Sequence, residues 1–265
     1  MTTPSIVDAT NLKTMQDADV VRIYSMWSDL EAAERSAFDA LGDAIKGVPI
    51  LDIGVGGGRT VGPLSRISTD YVGIDNSPAM IAACKRRFPD RRFELADART
   101  LENFGDGAFQ LVVFSCNGIG MVAHQDRLAI LRQVHRVLAK GGHFVFSNHN
   151  QRSERHDAGF VFPDFERTLN PAAFAVRAAR FLRQTLRRAR NRNRLRPSDL
   201  RGPDYSIIND ACHDYGTMLY YISPAKQAEQ LASVGFSGVL HRFGLDGRSV
   251  GEDARDDSVL YVARK

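Results

Sequence analysis

The feature that most restricts the fold of this chain is an alternation of short apolar runs with helical segments between residues 48 and 150. The apolar runs are nearly unbroken, as is typical of strands that are buried on both faces of a sheet. They read ILDIG, YVGID, RRFELAD, FQLVVFS and HFVFSN. Because parallel strands need a crossover connection, usually a helix, the alternation predicts a mostly parallel sheet that is covered on both faces.

The flanking segments extend this core, which we assign to residues 47–150. Residues 1–46 are predicted to form an N-terminal helical cap, because apolar positions recur at helical spacing from residue 17 onward. Residues 151–222 interrupt the alternation as a basic insertion, which we predict to be a mainly helical lid. Residues 223–265 contain a helix and two strands with no helix between them, so the last strand should run antiparallel.

Composition excludes several classes of protein. Hydrophobic residues make up 43% of the chain and charged residues 25%, which excludes disordered and collagen-like chains. No apolar run approaches the roughly 20 residues that span a bilayer, and the N-terminus lacks a signal-peptide pattern, so we expect a cytoplasmic protein. The three cysteines, Cys84, Cys116 and Cys212, lack metal-ligand spacing and are expected to be buried, inert thiols, so no metal site is indicated.

The turn after the first strand is rich in glycine and reads LDIGVGGGRT. Glycines let the backbone approach a ligand closely, and the following helix offers free N–H groups. The pattern G-x-G-x-x-G of dinucleotide-binding turns fails, because Arg59 or Val61 stands where the third glycine belongs. The Gly-Lys-Ser/Thr of a phosphate-binding loop is also missing.

Acidic residues mark the first three strands. Asp52 precedes the glycines, Asp75 ends the second strand at the spacing at which an acid reaches ribose hydroxyls, and Asp97 ends the third. The Asp52 carboxylate would repel a pyrophosphate but would tolerate an ammonium group. A glycine turn with three acids therefore predicts a site for an adenosine that carries an amino acid and no phosphates.

These segments resemble the motifs of the class I S-adenosylmethionine-dependent methyltransferases over residues 48–150. LDIGVGGGRT is similar to the first motif of that family, YVGIDNSPAM to the second, FELADA to the third and FQLVVFSCNGIGMV to the fourth. LRQVHRVLAKGGHFVFS resembles the family's helix and fifth strand. The resemblance implies an α/β, Rossmann-like sheet of seven mostly parallel strands with helices on both faces, and S-adenosyl-L-methionine as cofactor, with S-adenosyl-L-homocysteine as product.

The resemblance also assigns the cofactor site. Gly54 and Gly56 would contact the methionine part, Asp75 the ribose, and Asp97 with the alanine after it the adenine. Tyr24, on the helix before the sheet, matches a position that often caps the cofactor. The residues predicted to bind the cofactor are Tyr24, Asp52, Gly54, Gly56, Asp75, Asn76, Asp97, Ala98, Ser115 and Asn117.

Methyl transfer to a hydroxyl or ammonium needs a base, and histidine suits this role near neutral pH. Ligands of open α/β sheets lie outside the carboxyl ends of the strands, which places His149 near the transferred methyl. His213, flanked by acids in the insertion, is the alternative base. His124, at the start of the helix after the fourth strand, either lines the pocket or serves the helix entry.

The insertion contains ten arginines and one acid, Asp199, between Arg177 and Arg201, within a chain of net charge +4. The remainder of the chain is net acidic, so the basicity is local. This stretch begins as a helix that could be a lid on the core, a membrane-surface element, a cradle for an anionic acceptor or an RNA reader. One face of that helix carries Phe174, Ala178, Phe181, Leu182, Thr185 and Leu186.

From these alternatives we favour a methyltransferase for a small or carrier-linked acceptor, such as a sugar nucleotide or a lipid-linked glycan, methylated on oxygen or nitrogen. An RNA methyltransferase and a non-catalytic protein that binds S-adenosylmethionine are the other hypotheses. We expect little affinity for nucleic acid at physiological salt, and peripheral membrane contact only with a lipid-linked acceptor. The oligomeric state is left open by the sequence.

Overall fold

The computed structural model describes residues 5–265, so residues 1–4 of the predicted cap lie outside the described residues. The helices are α1 (Ile6–Met15), α2 (Ala18–Met26), α3 (Ala32–Leu41), α4 (Val61–Ile67), α5 (Pro78–Arg87), α6 (His124–Val137), α7 (Pro171–Leu195) and α8 (Pro224–Ser233). The strands are β1 (Ile50–Ile53), β2 (Tyr71–Asp75), β3 (Arg92–Leu95), β4 (Phe109–Phe114), β5 (Leu138–His149), β6 (Leu200–Arg201), β7 (Tyr205–Asp210), β8 (Thr217–Ile222), β9 (Gly238–Phe243) and β10 (Ser258–Arg264). Between residues 5 and 265, no helix is both long enough and apolar enough to cross a membrane.

Seven strands form the core of the sheet, as predicted. Strands β3, β2, β1, β4 and β5 lie side by side in this order and run parallel. Strand β10 pairs antiparallel with β5, and β9 pairs antiparallel with β10. This order confirms the Rossmann-like α/β fold, with its antiparallel last strand. The carboxyl ends of the parallel strands meet at one edge, which is where the site lies.

Alternate residues of the strands point to opposite faces, and each face is packed against helices. On one face, the strand residues pack against α6 and α8; this cluster includes Leu51, Ile53, Val112, Phe114, Phe144, Phe146, Leu131 and Leu231. On the other face, they pack against α3, α4 and α5; this cluster includes Ile50, Leu111, Val113, Val145, Phe38, Leu64 and Ile81. Helices on both faces are thus confirmed.

Capping serines fix the beginnings of several helices. The hydroxyl of Ser77 accepts a hydrogen bond from the Met80 N–H at 3.4 Å, and that of Ser223 accepts one from the Lys226 N–H at 3.3 Å. Both helices continue with proline at their first position, where the missing N–H of proline costs no helical hydrogen bond. The cap contains α2 and α3 within residues 17–46, and also α1, which the sequence analysis did not predict.

The insertion is less helical than predicted. It contains α7, but β6, β7 and β8 form an antiparallel set. Strand β8 joins the core through the pairing of Tyr221 with His149 at the end of β5, so the insertion extends the sheet. The sequence analysis missed β7 and β8 because their apolar residues stand beside polar and aromatic residues that suggested a pocket instead.

Candidate functional site

The glycine-rich turn after β1 adopts a conformation that its glycines permit. Gly54 and Gly56 have φ values of 64° and 55°, in the left-handed region that favours glycine. A Cβ atom on Gly54 would lie 2.7 Å from Cε2 of Phe114, and one on Gly57 would lie 2.3 Å from the backbone carbon of Tyr24. The glycines therefore let the turn pack on β4 and let the end of α2 lie directly against it.

A cavity of about 440 Å³ lies at the carboxyl ends of β1, β2 and β4, beside this turn. Its volume is typical of a pocket for a small molecule. Of the ten residues predicted to bind a cofactor, eight line it: Tyr24, Gly54, Gly56, Asp75, Asn76, Asp97, Ala98 and Ser115. The remaining walls are mostly apolar and include Ile53, Ile74, Met80, Phe114, Met121 and Ile130.

Asp75 stands where β2 ends and connects the two turns of the site. Its carboxylate accepts hydrogen bonds from the backbone N–H of Gly56 at 3.0 Å and of Ser77 at 2.8 Å. Burial raises the pKa of Asp75, while these backbone donors partly offset the rise. Each carboxylate oxygen keeps a further lone pair, so Asp75 can still accept hydroxyl groups of a ligand.

Asp52 does not lie where the sequence analysis placed it. Its carboxylate is buried on the opposite side of β1, where it accepts hydrogen bonds from the hydroxyls of Thr60 at 2.6 Å and Tyr71 at 2.9 Å. It does not line the cavity. Desolvation by burial raises the pKa of Asp52 to about 6. The geometry supports a role in holding the glycine turn against α4 rather than the expected ligand contact, because adjacent strand residues point to opposite faces.

Asn117 also lies outside the cavity lining, although its neighbours Cys116 and Gly118 belong to it. Its backbone has a φ of 57°, its N–H donates to the Ser147 hydroxyl at 2.8 Å, and its amide donates to the Ser258 hydroxyl at 3.0 Å. These bonds join the end of β4 to β5 and β10. Asn117 therefore helps to fix the loop from which Ser115 and Cys116 reach the cavity.

Asp97 lines the cavity but already has a strong partner. Its carboxylate accepts hydrogen bonds from Nε of Arg99 at 2.9 Å and from Nη2 at 2.6 Å, and this pairing counteracts burial and lowers the pKa of Asp97. Arg99 also contacts Asp126 on α6 at 3.2 Å and Asp8 on α1 at 3.8 Å. The sequence analysis missed Arg99, which ties three segments together at this end of the cavity.

Helix α1 closes the cavity and was not foreseen. Asp8, Leu12 and Met15 are among its residues that line the cavity. Asn11 anchors the helix: its amide donates to the carbonyls of Met121 at 2.7 Å and Met218 at 2.8 Å, and its oxygen accepts from the Met218 N–H at 2.9 Å. Ser5 followed by an acid in the first turn is a helix-start signal that could have revealed α1.

Tyr24, which lines the cavity, is in contact with His213, which does not line it and comes from a distant part of the sequence. The Tyr24 hydroxyl lies 3.4 Å from Nε2 of His213, and the two rings stack with centroids 5.9 Å apart. Burial lowers the pKa of His213 and raises that of Tyr24, so both are neutral near pH 7. The carboxylate of Asp214, which flanks His213, is bound by α7 and does not orient the imidazole.

The turn that carries His213 is strained. His213, Asp214 and Tyr215 have φ values of 49°, 55° and 59°, which L-residues rarely adopt in succession. Asp214 accepts hydrogen bonds from Gln184 at 2.9 Å and Arg188 at 2.8 Å, and it also pairs with Arg187. Part of the arginine-rich stretch therefore acts within the protein and holds this turn beside Tyr24.

Like His213, the other two histidine candidates are not among the residues that line the cavity. The ring of His149 stacks on Tyr221, with centroids 5.0 Å apart, and its buried Nδ1 has no hydrogen-bond partner among the described residues. Burial lowers the pKa of His149 to about 4. His124 begins α6 and bonds through Nδ1 to the Tyr220 hydroxyl at 2.8 Å, which agrees with a role at the helix entry.

The cysteines differ in their placement. Cys84 is buried, as expected, whereas Cys116 and Cys212 are only partly buried, and Cys116 lines the cavity. Burial raises the pKa of the Cys116 thiol to about 11, so it stays protonated near neutral pH. Cys116 therefore offers the cavity a neutral thiol rather than a thiolate.

Residues 50–142 match the model of the methyltransferase domain family. A demethylmenaquinone methyltransferase of Beutenbergia cavernae is 35% identical over 133 residues, which cover 48% of this chain and 53% of the relative. The chain thus spans about half the length of the curated relatives it matches.

Solved structures of methyltransferases share the fold over nearly the whole chain. The CcbJ methyltransferase of Streptomyces caelestis has a TM-score of 0.63 at 18% identity and covers 95% of this chain and 97% of its own. The 1,6-didemethyltoxoflavin-N1-methyltransferase of Burkholderia thailandensis, solved with 1,6-didemethyltoxoflavin and S-adenosylhomocysteine, has a TM-score of 0.58 at 14% identity. It covers 100% of this chain and 93% of its own. At these identities the likeness concerns the fold.

Proposed function

We propose that this chain, whose residues 50–142 belong to the methyltransferase domain family, transfers a methyl group from S-adenosylmethionine to a small or carrier-linked acceptor. The observation that carries the proposal is the cavity at the carboxyl ends of β1, β2 and β4, which brings eight of the predicted cofactor residues together. Relatives of the same fold act on small molecules, as the toxoflavin-type enzyme does.

The cavity fits this cofactor on three counts. Gly54 and Gly56 line the cavity at positive φ, and a Cβ atom on Gly56 would lie 3.6 Å from Cδ1 of Tyr24, another residue of the lining. Asp75 offers carboxylate oxygens to hydroxyl groups, and among the described residues no lysine lines the cavity. Apolar walls such as Ile74 and Ile130 suit a purine ring.

S-adenosylmethionine, when bound, supplies a methyl group on a sulfonium, which an acceptor atom takes in an in-line displacement. The protein's part is to hold the acceptor close and to exclude water. Helix α1, fixed by Asn11, covers the cavity, and Tyr24 forms a wall beside the glycine turn. A hydroxyl or ammonium acceptor must also lose a proton.

His213 is the base that the geometry favours, and His149 remains the alternative. His213 contacts Tyr24, which lines the cavity, and the imidazole is neutral near pH 7 and able to accept a proton. His149 has a neutral imidazole as well, but its ring stacks on Tyr221 rather than on a residue that lines the cavity. The acceptor would enter on the side of the insertion, because β8 and the turn at His213 both approach that edge.

The acceptor we favour is a sugar or glycan precursor methylated on oxygen or nitrogen. The contacts of the arginine-rich stretch argue against RNA as the acceptor, because several of its arginines already bind other residues of the protein. Arg187 and Arg188 bind Asp214, Arg192 lies over the Tyr215 ring at 4.9 Å, and Arg201 pairs with Asp157 at 2.9 Å.

Calorimetry with S-adenosylhomocysteine tests the cofactor site. We expect Asp75→Ala to weaken binding by about 1.5–3 kcal/mol, because a ligand hydroxyl loses a bond to a charged group. Asp70→Ala, an exposed acid just before the other end of β2, is the matched control and should bind normally. Unchanged affinity in Asp75→Ala would remove the ribose assignment.

Turnover separates an enzyme from a sensor that only binds the cofactor. The purified protein is incubated with S-adenosylmethionine labelled in the methyl group and with nucleotide sugars, glycolipid extracts or RNA. Transfer to a sugar-containing acceptor supports the proposal. Binding of the cofactor without turnover on any acceptor class would favour the sensor, and preferential labelling of RNA would favour the RNA methyltransferase.

A further inference from the structure

Helix α7 has one face that the protein uses. On this inner face Gln184, Arg188 and Asn191 bond to the turn at Asp214, and Leu195 is fully buried at the end of the helix. Phe181 also packs toward the protein, with its ring edge against Phe165 at 5.5 Å between centroids. The inner face thus accounts for only part of the apolar surface of the helix.

The opposite, outer face of α7 is apolar and exposed. Leu182 and Leu186 expose 59% and 62% of their surface, and Val176 exposes 69%. Their spacing, together with that of the exposed Ala175 and Ala179, places them on one side of a helix. A contiguous apolar strip of this kind on a protein surface marks an interaction site.

The same outer side carries cations without partners. Arg180, Arg183, Arg190 and Arg194 are exposed and make no ion pair or hydrogen bond with any residue between 5 and 265. Helix α7 contains no aspartate or glutamate at all. An apolar strip flanked by unpaired arginines is complementary to a surface that is itself both apolar and anionic.

We propose that the outer face of α7, defined by Val176, Leu182, Leu186, Arg183 and Arg190, binds the surface of a bilayer that contains anionic phospholipids. The helix would lie in the interface plane, with its leucines among the acyl chains and its arginines at the phosphates. RNA fits this face less well, because aliphatic leucines offer no ring on which bases stack. The proposal replaces the expectation that membrane contact requires a lipid-linked acceptor, because it rests on this exposed face alone and not on methyl transfer.

Co-sedimentation of the full chain with vesicles tests the proposal without any cofactor or acceptor. We expect binding to vesicles of phosphatidylcholine with phosphatidylglycerol and little binding to phosphatidylcholine alone. Arg183→Gln combined with Arg190→Gln should lower the partition constant about 25-fold, since each arginine near such a surface contributes about fivefold. Leu182→Ser combined with Leu186→Ser should lower it about tenfold or more. Both double variants alter exposed side chains, so the fold should persist.

Matched controls lie on other surfaces of the chain. Arg86→Gln with Arg132→Gln removes two exposed arginines, and Leu240→Ser with Leu245→Ser removes two exposed leucines. Both controls should bind the anionic vesicles as the wild type does. Three results would overturn the proposal. The controls could lose as much vesicle binding as the α7 variants, or neutral vesicles could bind the protein as well as anionic ones. The leucine variant could also change the oligomeric state and leave vesicle binding unchanged. Tighter binding to RNA than to anionic vesicles would do so as well.

Discussion

Replacing Asp214 by alanine should release the strained turn that holds His213 against Tyr24. The turn has three successive residues with positive φ, and the carboxylate of Asp214 is bound by α7. Removing the carboxylate leaves the backbone strain in place but takes away the contacts that offset it. The perturbation therefore separates the conformation of the turn from the chemistry of His213, which is unchanged.

The magnitudes of the two opposing effects are similar. Left-handed backbone costs about 1–2 kcal/mol for each L-residue, or about 3–6 kcal/mol for the three. The hydrogen bond from the largely buried Arg188 contributes about 1.5–3 kcal/mol and that from Gln184 about 1 kcal/mol. The pair with Arg187, whose side chain is 65% exposed, adds less than about 1 kcal/mol. We expect Asp214→Ala to lower the free energy of unfolding by about 3 kcal/mol.

Two measurements follow the consequence of this change. Urea denaturation gives the free energy of unfolding, and single-turnover kinetics give the rate of methyl transfer once an acceptor is known. If His213 acts as the base, the rate should fall with the stability, because the relaxed turn carries the imidazole away from Tyr24. The affinity for S-adenosylhomocysteine should change little, since Asp214 does not line the cavity.

Asp214→Gly is the matched control. It removes the same carboxylate, but glycine adopts a positive φ without the penalty that alanine incurs, so it should be milder than Asp214→Ala by about 1 kcal/mol. Equal unfolding free energies for the two variants would show that strain has no part in the turn. Wild-type stability in both would refute the view that α7 holds it.

Two further outcomes are expected. Arg127 is fully buried and bonds to Gln227, Gln230 and Asn148, with no carboxylate partner among residues 5–265. We expect Arg127→Met to lower the free energy of unfolding by about 3 kcal/mol, and Arg132→Met, at an exposed position of the same helix, to leave it unchanged. Equal free energies of unfolding for the two variants would contradict a stabilising role of the Arg127 hydrogen bonds. If His149 is the base, its pKa of about 4 should keep the rate constant from neutral pH down to about pH 5 and lower it below that, as protonation removes the base, and His149→Gln should abolish about a hundredfold of rate. The loss of rate in His149→Gln is not expected if His213 is the base, whereas a fall of the rate at low pH is expected for either histidine.

The sequence by itself determined the core of the fold and many of the residues that line the cavity. Strand periodicity, the glycine turn and the serine–proline helix starts are local signals, and each depends on residues within a few positions of one another. Because parallel strands bring their carboxyl ends to one edge, the strand pattern alone was enough to place Asp75 and Asp97 together. The positive φ values in the turn after β1 are also a local property, because they depend on glycine at those positions.

Only the tertiary structure decided which polar side chains face the cavity. Asp52 points away from the cavity because adjacent strand residues face opposite sides of the sheet, and there it bonds to Thr60 at the end of the glycine turn and to Tyr71 on the neighbouring strand. The partners of Arg99 and Asn11 come from segments remote in sequence, as does the contact of Tyr24 with His213. The sequence showed that α7 is amphipathic, but which of its faces meets the protein depended on how Asp214 and the strained turn pack against it, which is a property of the whole fold.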